Sequence, residues 1–188
     1  MKAKLALLAS GTGTNVRNII AHFENNDAIT VDCVITNKSD AGALNFALEK
    51  DIDAFVFSKA EFNDGSVLEL LKERGVTHVI LAGFLLMISP ALVDHFKDRI
   101  LNIHPALLPN YGGKGMYGMN VHNAVYENKE SKSGITIHLV NEEYDKGKIL
   151  AQFEVDIEGC SPEEISSRVR DLEQQYFPGV IEDYITAN

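Results

Sequence analysis

The stretch AKLALLASGTGTN, residues 3–15, decides how the rest of the chain is read. Residues 3–9 have the composition of a buried strand. SGTGTN (10–15) follows as a glycine turn, and beyond it Val16, Ile19, Ile20 and Phe23 recur at helical spacing. The opening MKAKLALLAS also has the basic end of a signal peptide, but its apolar run is too brief and no cleavage pattern follows. Strand, turn and helix then repeat. ITVDCVIT (29–36) is β-branched and reads as a strand; Leu44, Ala47 and Leu48 mark a helix; DAFVF (53–57) is a third strand. Val67, Leu70, Leu71 and Arg74 mark another helix, closed by Gly75, and HVILA (78–82) is a fourth strand, apolar on both faces. Strands that alternate with helices and lack polar alternation predict a parallel sheet covered on both sides.

The second half differs in pattern. RILNIHP (99–105) gives a fifth strand, followed by the glycine-rich YGGKGMYGMN (111–120). GITIHLV (134–140) and ILAQFEVDI (149–157) read as strands joined around Asp145, Lys146 and Gly147. Ile165, Val169, Leu172 and Tyr176 form a helical stripe that Pro178 and Gly179 are expected to break or kink. No repeat or linker interrupts the 188 residues, so one domain spanning 1–188 is expected. The predicted class is α/β: a mainly parallel twisted sheet flanked by helices on both faces.

A net charge of -10 argues against general nucleic-acid binding, which needs a basic surface. It leaves phosphorylated small molecules open, because backbone amides hold phosphate without net positive charge. Cys33 and Cys160 lack metal-type spacing and read as reduced structural thiols. No segment reaches the ~20 apolar residues of a membrane span. A cytoplasmic protein without membrane association is expected, as a monomer or homodimer.

Two stretches could carry chemistry. In SGTGTN, Gly11 and Gly13 let the backbone approach a ligand, while Thr14 and Asn15 sit at a helix start, where free N–H groups favour an anion. The same residues would serve as a plain capped turn. The loop is neither a Walker A motif nor a full dinucleotide fingerprint, and Asp32, the one acidic ribose candidate, lies mid-strand. In NIHPALLP (102–109), Asn102 and His104 are two residues apart on a strand and project to the same side; Pro105 then ends the pairing. Ligands of open α/β sheets bind beyond the carboxyl ends of strands. There, an amide donor and a titratable imidazole suit addition to a carbonyl; a turn cap beside a core histidine is the bland alternative. Asp145 lies in a turn, and its spacing does not bring it to His104. His22, His78, His95 and His122 read as structural, His138 as a possible lining residue, and Glu142 with Glu143 as a solvated turn. No His/Cys/Asp cluster has ligand spacing, so no metal is expected.

SGTGTN after the first strand, LAGFLLMISP (81–90), NIHPALLP, GITIHLVNEEYDKGKILAQ (134–152) and LEQQYFP (172–178) together resemble the folate-dependent phosphoribosylglycinamide formyltransferases, in order and over nearly the whole chain. NIHPALLP with the later Asp-x-Gly is the part shared with other users of 10-formyltetrahydrofolate. The resemblance implies a formyltransferase fold with a Rossmann-like first half. It implies formyl transfer from 10-formyltetrahydrofolate, a co-substrate, to glycinamide ribonucleotide in purine synthesis, without a metal. Asn102, His104 and Asp145 would be the catalytic trio, with a protonated His104 helping Asn102 hold the oxyanion. Gly11, Gly13, Thr14 and Asn15 would hold the ribonucleotide phosphate, and Glu173 its ribose. Leu81, Leu85, Leu86, Met87, Ile88, Val93, His138, Val140 and Glu142 would enclose the pterin. The chain departs from many members at 86–87, where they carry a basic or aromatic residue, and in its longer glycine stretch, whose Lys114 is a candidate positive charge beside two anionic substrates. A nucleotide-binding module without catalysis is the rival of a different class, and the trio counts against it.

Overall fold

Leu5, Ala6, Leu7, Leu8 and Ala9 are all completely buried, because the strand they form, β1 (Ala3–Ala9), is covered on both faces. The strands that follow are β2 (Ile29–Thr36), β3 (Asp53–Val56), β4 (His78–Leu81), β5 (Ile100–His104), β6 (Lys132–Leu139) and β7 (Ile149–Asp156). In the computed structural model, which describes residues 2–187, they form one sheet in the order β3-β2-β1-β4-β5-β6-β7. Pairing is parallel from β3 through β5 and antiparallel for β5–β6 and β6–β7. The helices are α1 (Thr14–Phe23), α2 (Ala43–Glu49), α3 (Lys59–Asn63), α4 (Ser66–Glu73), α5 (Pro90–His95), α6 (Met119–Glu127) and α7 (Pro162–Ala187).

Strand alternation sorts β1 between two cores. Leu5, Leu7 and Ala9 pack with Val16, Ile19, Ile20 and Phe23 of α1 and with Val169 and Phe177 of α7. Ala6 and Leu8 pack on the other face with Phe62 of α3, Val67 and Leu71 of α4, and Leu92 of α5. Each buried Leu or Ile contributes roughly 1.5–3 kcal/mol of apolar transfer. The doubly covered β1 therefore anchors the sheet.

Three local expectations need correction. Leu48 is 71% exposed; α2 buries Ala43 and Ala47 instead, so its apolar stripe is carried by alanines. Helices α3 and α6 were not anticipated. The first is announced by a capping box, in which Ser58 accepts from the Glu61 N–H and the Glu61 carboxylate accepts from the Ser58 N–H.

The third concerns α7, which does not stop at Pro178 but runs through it. A proline inside a helix removes the N–H that would bond the carbonyl four residues back. That carbonyl belongs to Gln174, and Asn18 Nδ2 of α1 donates to it at 2.7 Å. Asn15 lies one turn away on the same side of α1. Its Nδ2 donates to Glu173 Oε2 at 2.9 Å, and its Oδ1 accepts from Gln174 Nε2 at 2.8 Å. Farther along, His22 and Asn26 both reach the Glu182 carboxylate at 2.7 Å. A polar seam thus joins the first and last helices beside the apolar core.

Replacing Asn18 with Ala leaves the Gln174 carbonyl without its partner, which should cost about 1–3 kcal/mol in urea unfolding. In a Pro178→Ala background the backbone N–H returns, and the same Asn18→Ala change should cost distinctly less. Equal costs in the two backgrounds would refute the pairing of proline and asparagine.

Candidate active site

The chain leaves β1 toward β2 and β3, then returns to β4 on the other side of β1. The crevice at such a reversal is where open α/β sheets bind ligands. Ser10 ties its two lips together. Its N–H donates to the Gly83 carbonyl at 3.0 Å, its hydroxyl donates to Asn37 Oδ1 at 2.6 Å, and the Leu85 N–H donates to that hydroxyl at 3.0 Å. A cavity of about 490 Å³ opens from this point.

The two glycines of SGTGTN do different things. Gly11 lines the cavity, and a Cβ there would meet nothing within 4 Å. Gly13 is buried with φ +80, and a Cβ would stand 2.5 Å from the Ala43 Cα. Close backbone packing against α2 by itself requires glycine there. Neither Gly13 nor Thr14 lines the cavity. The capped-turn alternative does not hold either, because the first turn of α1 has no side-chain cap. Its N–H groups are left to a ligand or solvent.

Asn102 and His104 both line the cavity from the end of β5, and Asp145 lines it from the β6–β7 hairpin. The β5–β6 register sets Asn102 opposite His138 and His104 opposite Thr136. His138 Nδ1 lies 2.8 Å from the Leu139 carbonyl, which can only accept, so Nδ1 carries the proton and Nε2 is an acceptor. Asn102 Nδ2 donates to that Nε2 at 3.0 Å. The histidine thereby fixes which end of the amide is which, and leaves the second Nδ2 hydrogen for a ligand. His138, expected only as a pterin wall, is thus the support of Asn102.

His104 is held similarly. Its Nε2 donates to the Tyr111 carbonyl at 2.8 Å, so in the neutral ring Nδ1 is a lone pair, 3.6 Å from Asp145 Oδ2. Burial depresses the His104 pKa; Asp145 and the Tyr111 carbonyl oppose that, and the net result lies below the ordinary 6.5. Burial thus works against the protonated His104 that the resemblance implies, and Asp145 and the Tyr111 carbonyl work for it. Asp145 is 12% exposed, and its other oxygen is 3.6 Å from His138 Nε2. Burial pushes its carboxyl pKa up, but His138, the Gly113 N–H at 2.8 Å and His104 outweigh it and hold the group below its usual range.

The hairpin that presents Asp145 is tightly constrained. Asp145 itself has φ 54. A Cβ on Gly147 would lie 1.6 Å from the Leu139 carbonyl oxygen, so no other residue fits. The PALLP segment is pinned too: Thr136 Oγ1 donates to the Ala106 carbonyl at 2.7 Å and accepts from the Leu108 N–H at 3.0 Å.

The remaining expectations divide. Leu81, Leu85, Leu86, Met87, Ile88, His138 and Val140 line the cavity. Leu85 and Met87 stand 44% and 50% exposed, an uncovered apolar shelf. Val93 is instead buried in the α4–α5 core, and Glu142 is exposed outside the lining, which Asn141, Glu143 and Tyr144 contribute. Asn15 and Glu173 line it, and burial raises the Glu173 pKa against the opposing Asn15 amide and Arg170. Lys114 lines the cavity from the glycine stretch. Sequence reasoning missed Ser166 and Arg170, and His122, read as structural, also lines the cavity. Ser166, Arg170 and Glu173 are spaced four and three apart, a helix face readable beside the apolar stripe. Among the described residues no cluster of His, Cys, Asp and Glu could hold a metal, and no helix is long and apolar enough to cross a membrane.

The family model described as formyl transferase matches residues 3–181. A chloroplastic phosphoribosylglycinamide formyltransferase of Arabidopsis thaliana is 45% identical over 96% of this chain and 64% of its own length. The enzyme so named from Haemophilus influenzae is 37% identical over 95% of this chain and 85% of its own. The chain thus spans less than two thirds of the plant relatives, 64% and 60% of those from Arabidopsis thaliana and Vigna unguiculata. Among solved structures, glycinamide ribonucleotide transformylase 1 from Geobacillus kaustophilus superposes with a TM-score of 0.88 at 30% identity, covering 96% of this chain and 97% of that one. The fold class read from the sequence is the fold of these structures.

The electrostatics can be checked by NMR titration of the imidazoles. His104 should titrate below 6.5. Asp145→Asn removes the charge that favours the imidazolium, so the His104 pKa should fall further. An unchanged or raised His104 pKa in the variant would contradict the pairing.

Proposed function

This chain belongs to the formyl transferase family, and from that membership and the cavity's geometry we propose that it transfers a formyl group from 10-formyltetrahydrofolate to the primary amine of glycinamide ribonucleotide, a step of purine synthesis. One observation carries the reading. The Asn102 amide, the His104 lone pair and the Asp145 carboxylate meet in a cavity bounded by the uncapped start of α1 and by the apolar Leu85–Met87 shelf. An anionic ribonucleotide suits the first boundary and a flat pterin the second.

The chemistry then follows from the protein groups. As the amine attacks the formyl carbon, a C–N bond forms and the carbonyl oxygen gathers negative charge. The free Nδ2 hydrogen of Asn102, already aimed by His138, donates to that oxygen. The attacking nitrogen becomes acidic, and neutral His104 Nδ1 accepts its proton. Asp145 stabilises the resulting imidazolium. Collapse breaks the bond to the donor nitrogen, which takes up the proton. Formylated amine and tetrahydrofolate leave, and atoms balance without an external oxidant or metal. Asn15 and Glu173, joined to each other, hold the ribonucleotide at the α1 end of the cavity; Gly11 keeps the space above the loop clear.

The test is formyl transfer with both substrates, with water as the control acceptor. Ribonucleotide-dependent product is expected; formate release alone would overturn the reading. Gly11→Val fills open space and should raise KM for the ribonucleotide while leaving that for the folate. Equal effects on both would remove the phosphate assignment. Asn102→Ala should lower kcat by roughly 10²–10³-fold, the usual loss for one oxyanion donor. A change confined to KM would mean that Asn102 only binds.

A further inference from the structure

One histidine at the cavity has no place in the mechanism above. His122, on α6, is 4% exposed and lines the cavity. Its Nδ1 is enclosed and has no hydrogen-bond partner, and among the described residues no protein group bonds its Nε2 either. The ring lies within electrostatic reach of both Arg170 and His104. It therefore shares one cavity with the reacting end and with the α7 wall that carries Arg170 and Glu173, and is in reach of both.

A buried, unpartnered polar group costs roughly 1–3 kcal/mol, which a purely structural site would avoid by holding an apolar residue. Burial first, then the positive charge of Arg170, and last His104 whenever it is protonated, push the His122 pKa down to about 4, so the ring is neutral in use. A neutral ring carries one N–H. Leaving a lone pair at the enclosed Nδ1 is less costly than leaving an N–H there. The proton then sits on Nε2, the nitrogen available to a ligand.

We propose that His122 is an acceptor-binding residue: its Nε2–H donates to an oxygen of the ribonucleotide in the span between the phosphate and the reacting amine. The proposal rests on the function inferred above and adds a contact to it. With the phosphate at α1 and the amine at Asn102 and His104, that donor fixes the middle of the substrate. It holds the amine on line with the formyl carbon. When the substrate is bound, the imidazole gains the partner it lacks in the free protein.

The test is calorimetric titration of the full chain with glycinamide ribonucleotide in the absence of folate, alongside thermal unfolding. His122→Leu should weaken ribonucleotide binding about tenfold, the loss of one hydrogen bond. It should leave the folate KM unchanged and keep or raise the thermal midpoint. Lower stability with unchanged ribonucleotide affinity is the signature of a structural residue and overturns the proposal. If His122→Leu does not fold, the pair His122→Gln and His122→Asn decides. Gln carries an amide donor to the Nε2 position and should bind near wild type, whereas Asn stops short and should bind about tenfold more weakly. Equal affinities of the two would overturn the proposal. Failure of the wild-type chain to bind the ribonucleotide at all would overturn the functional reading itself, and this contact with it.

Discussion

The register between β5 and β6 is the constraint on which the site depends. It sets Asn102 against His138, and through that pair the donor end of an amide is turned toward the cavity. A slip of one residue would send Asn102 and His104 to the opposite face and bring Ile103 in their place. Nothing in the parallel half of the sheet could compensate, since β4 meets β5 from the other side and offers only Leu81 opposite Asn102. The antiparallel extension is thus more than an edge to the fold. Thr136 on β6 holds the backbone just past His104, so the strand that aims the imidazole also fixes the segment behind it.

Asp145 shows how a carboxylate is kept ionised in a half-closed place. Water is partly removed, which alone would protonate it. One backbone N–H restores part of the balance, and the two imidazoles add to it whenever they take up a proton. The geometry has a conformational cost: a left-handed backbone at Asp145 and an invariant need for glycine two residues later. The carboxylate raises the basicity of His104 without overcoming burial. Burial and the carboxylate thus pull the imidazole in opposite directions, and its basicity is set by both.

Much of this was legible in the sequence, and the failures have physical causes. The buried strands were readable because a doubly covered strand must be apolar throughout, as Leu5 to Ala9 are. The same-side placement of Asn102 and His104 followed from strand periodicity alone. Asp145 did not, because a hairpin's contact with a strand forty residues earlier leaves no local pattern; only family resemblance brought it in. The packing reason for Gly13 was hidden, since it lies in what a Cβ would strike, and Ala43 was out of sight. Val93 came in with the resemblance alone, which does not say whether an apolar side chain faces the ligand or the core; here it is buried in the core. Continuation of α7 past Pro178 was hidden for a related reason: the group that rescues it, Asn18, lies at the other end of the chain.

The seam between α1 and α7 also has a consequence for synthesis on the ribosome. The chain is made from its first residue onward, and a domain folds as a unit once its parts are present. The glycine loop and α1 are made early, while Arg170 and Glu173, the far wall of the same cavity, are made late. Until α7 docks, the chain has half a cavity. The flank of α1 that waits for it exposes Asn15, Asn18 and His22, which water satisfies readily. An apolar flank would offer neighbouring nascent chains a surface to stick to. The apolar part of the same contact, where Val16 to Phe23 meet Val169 and Phe177, still waits for α7 to close it, and the polar seam keeps that uncovered surface smaller than an all-apolar contact would leave it.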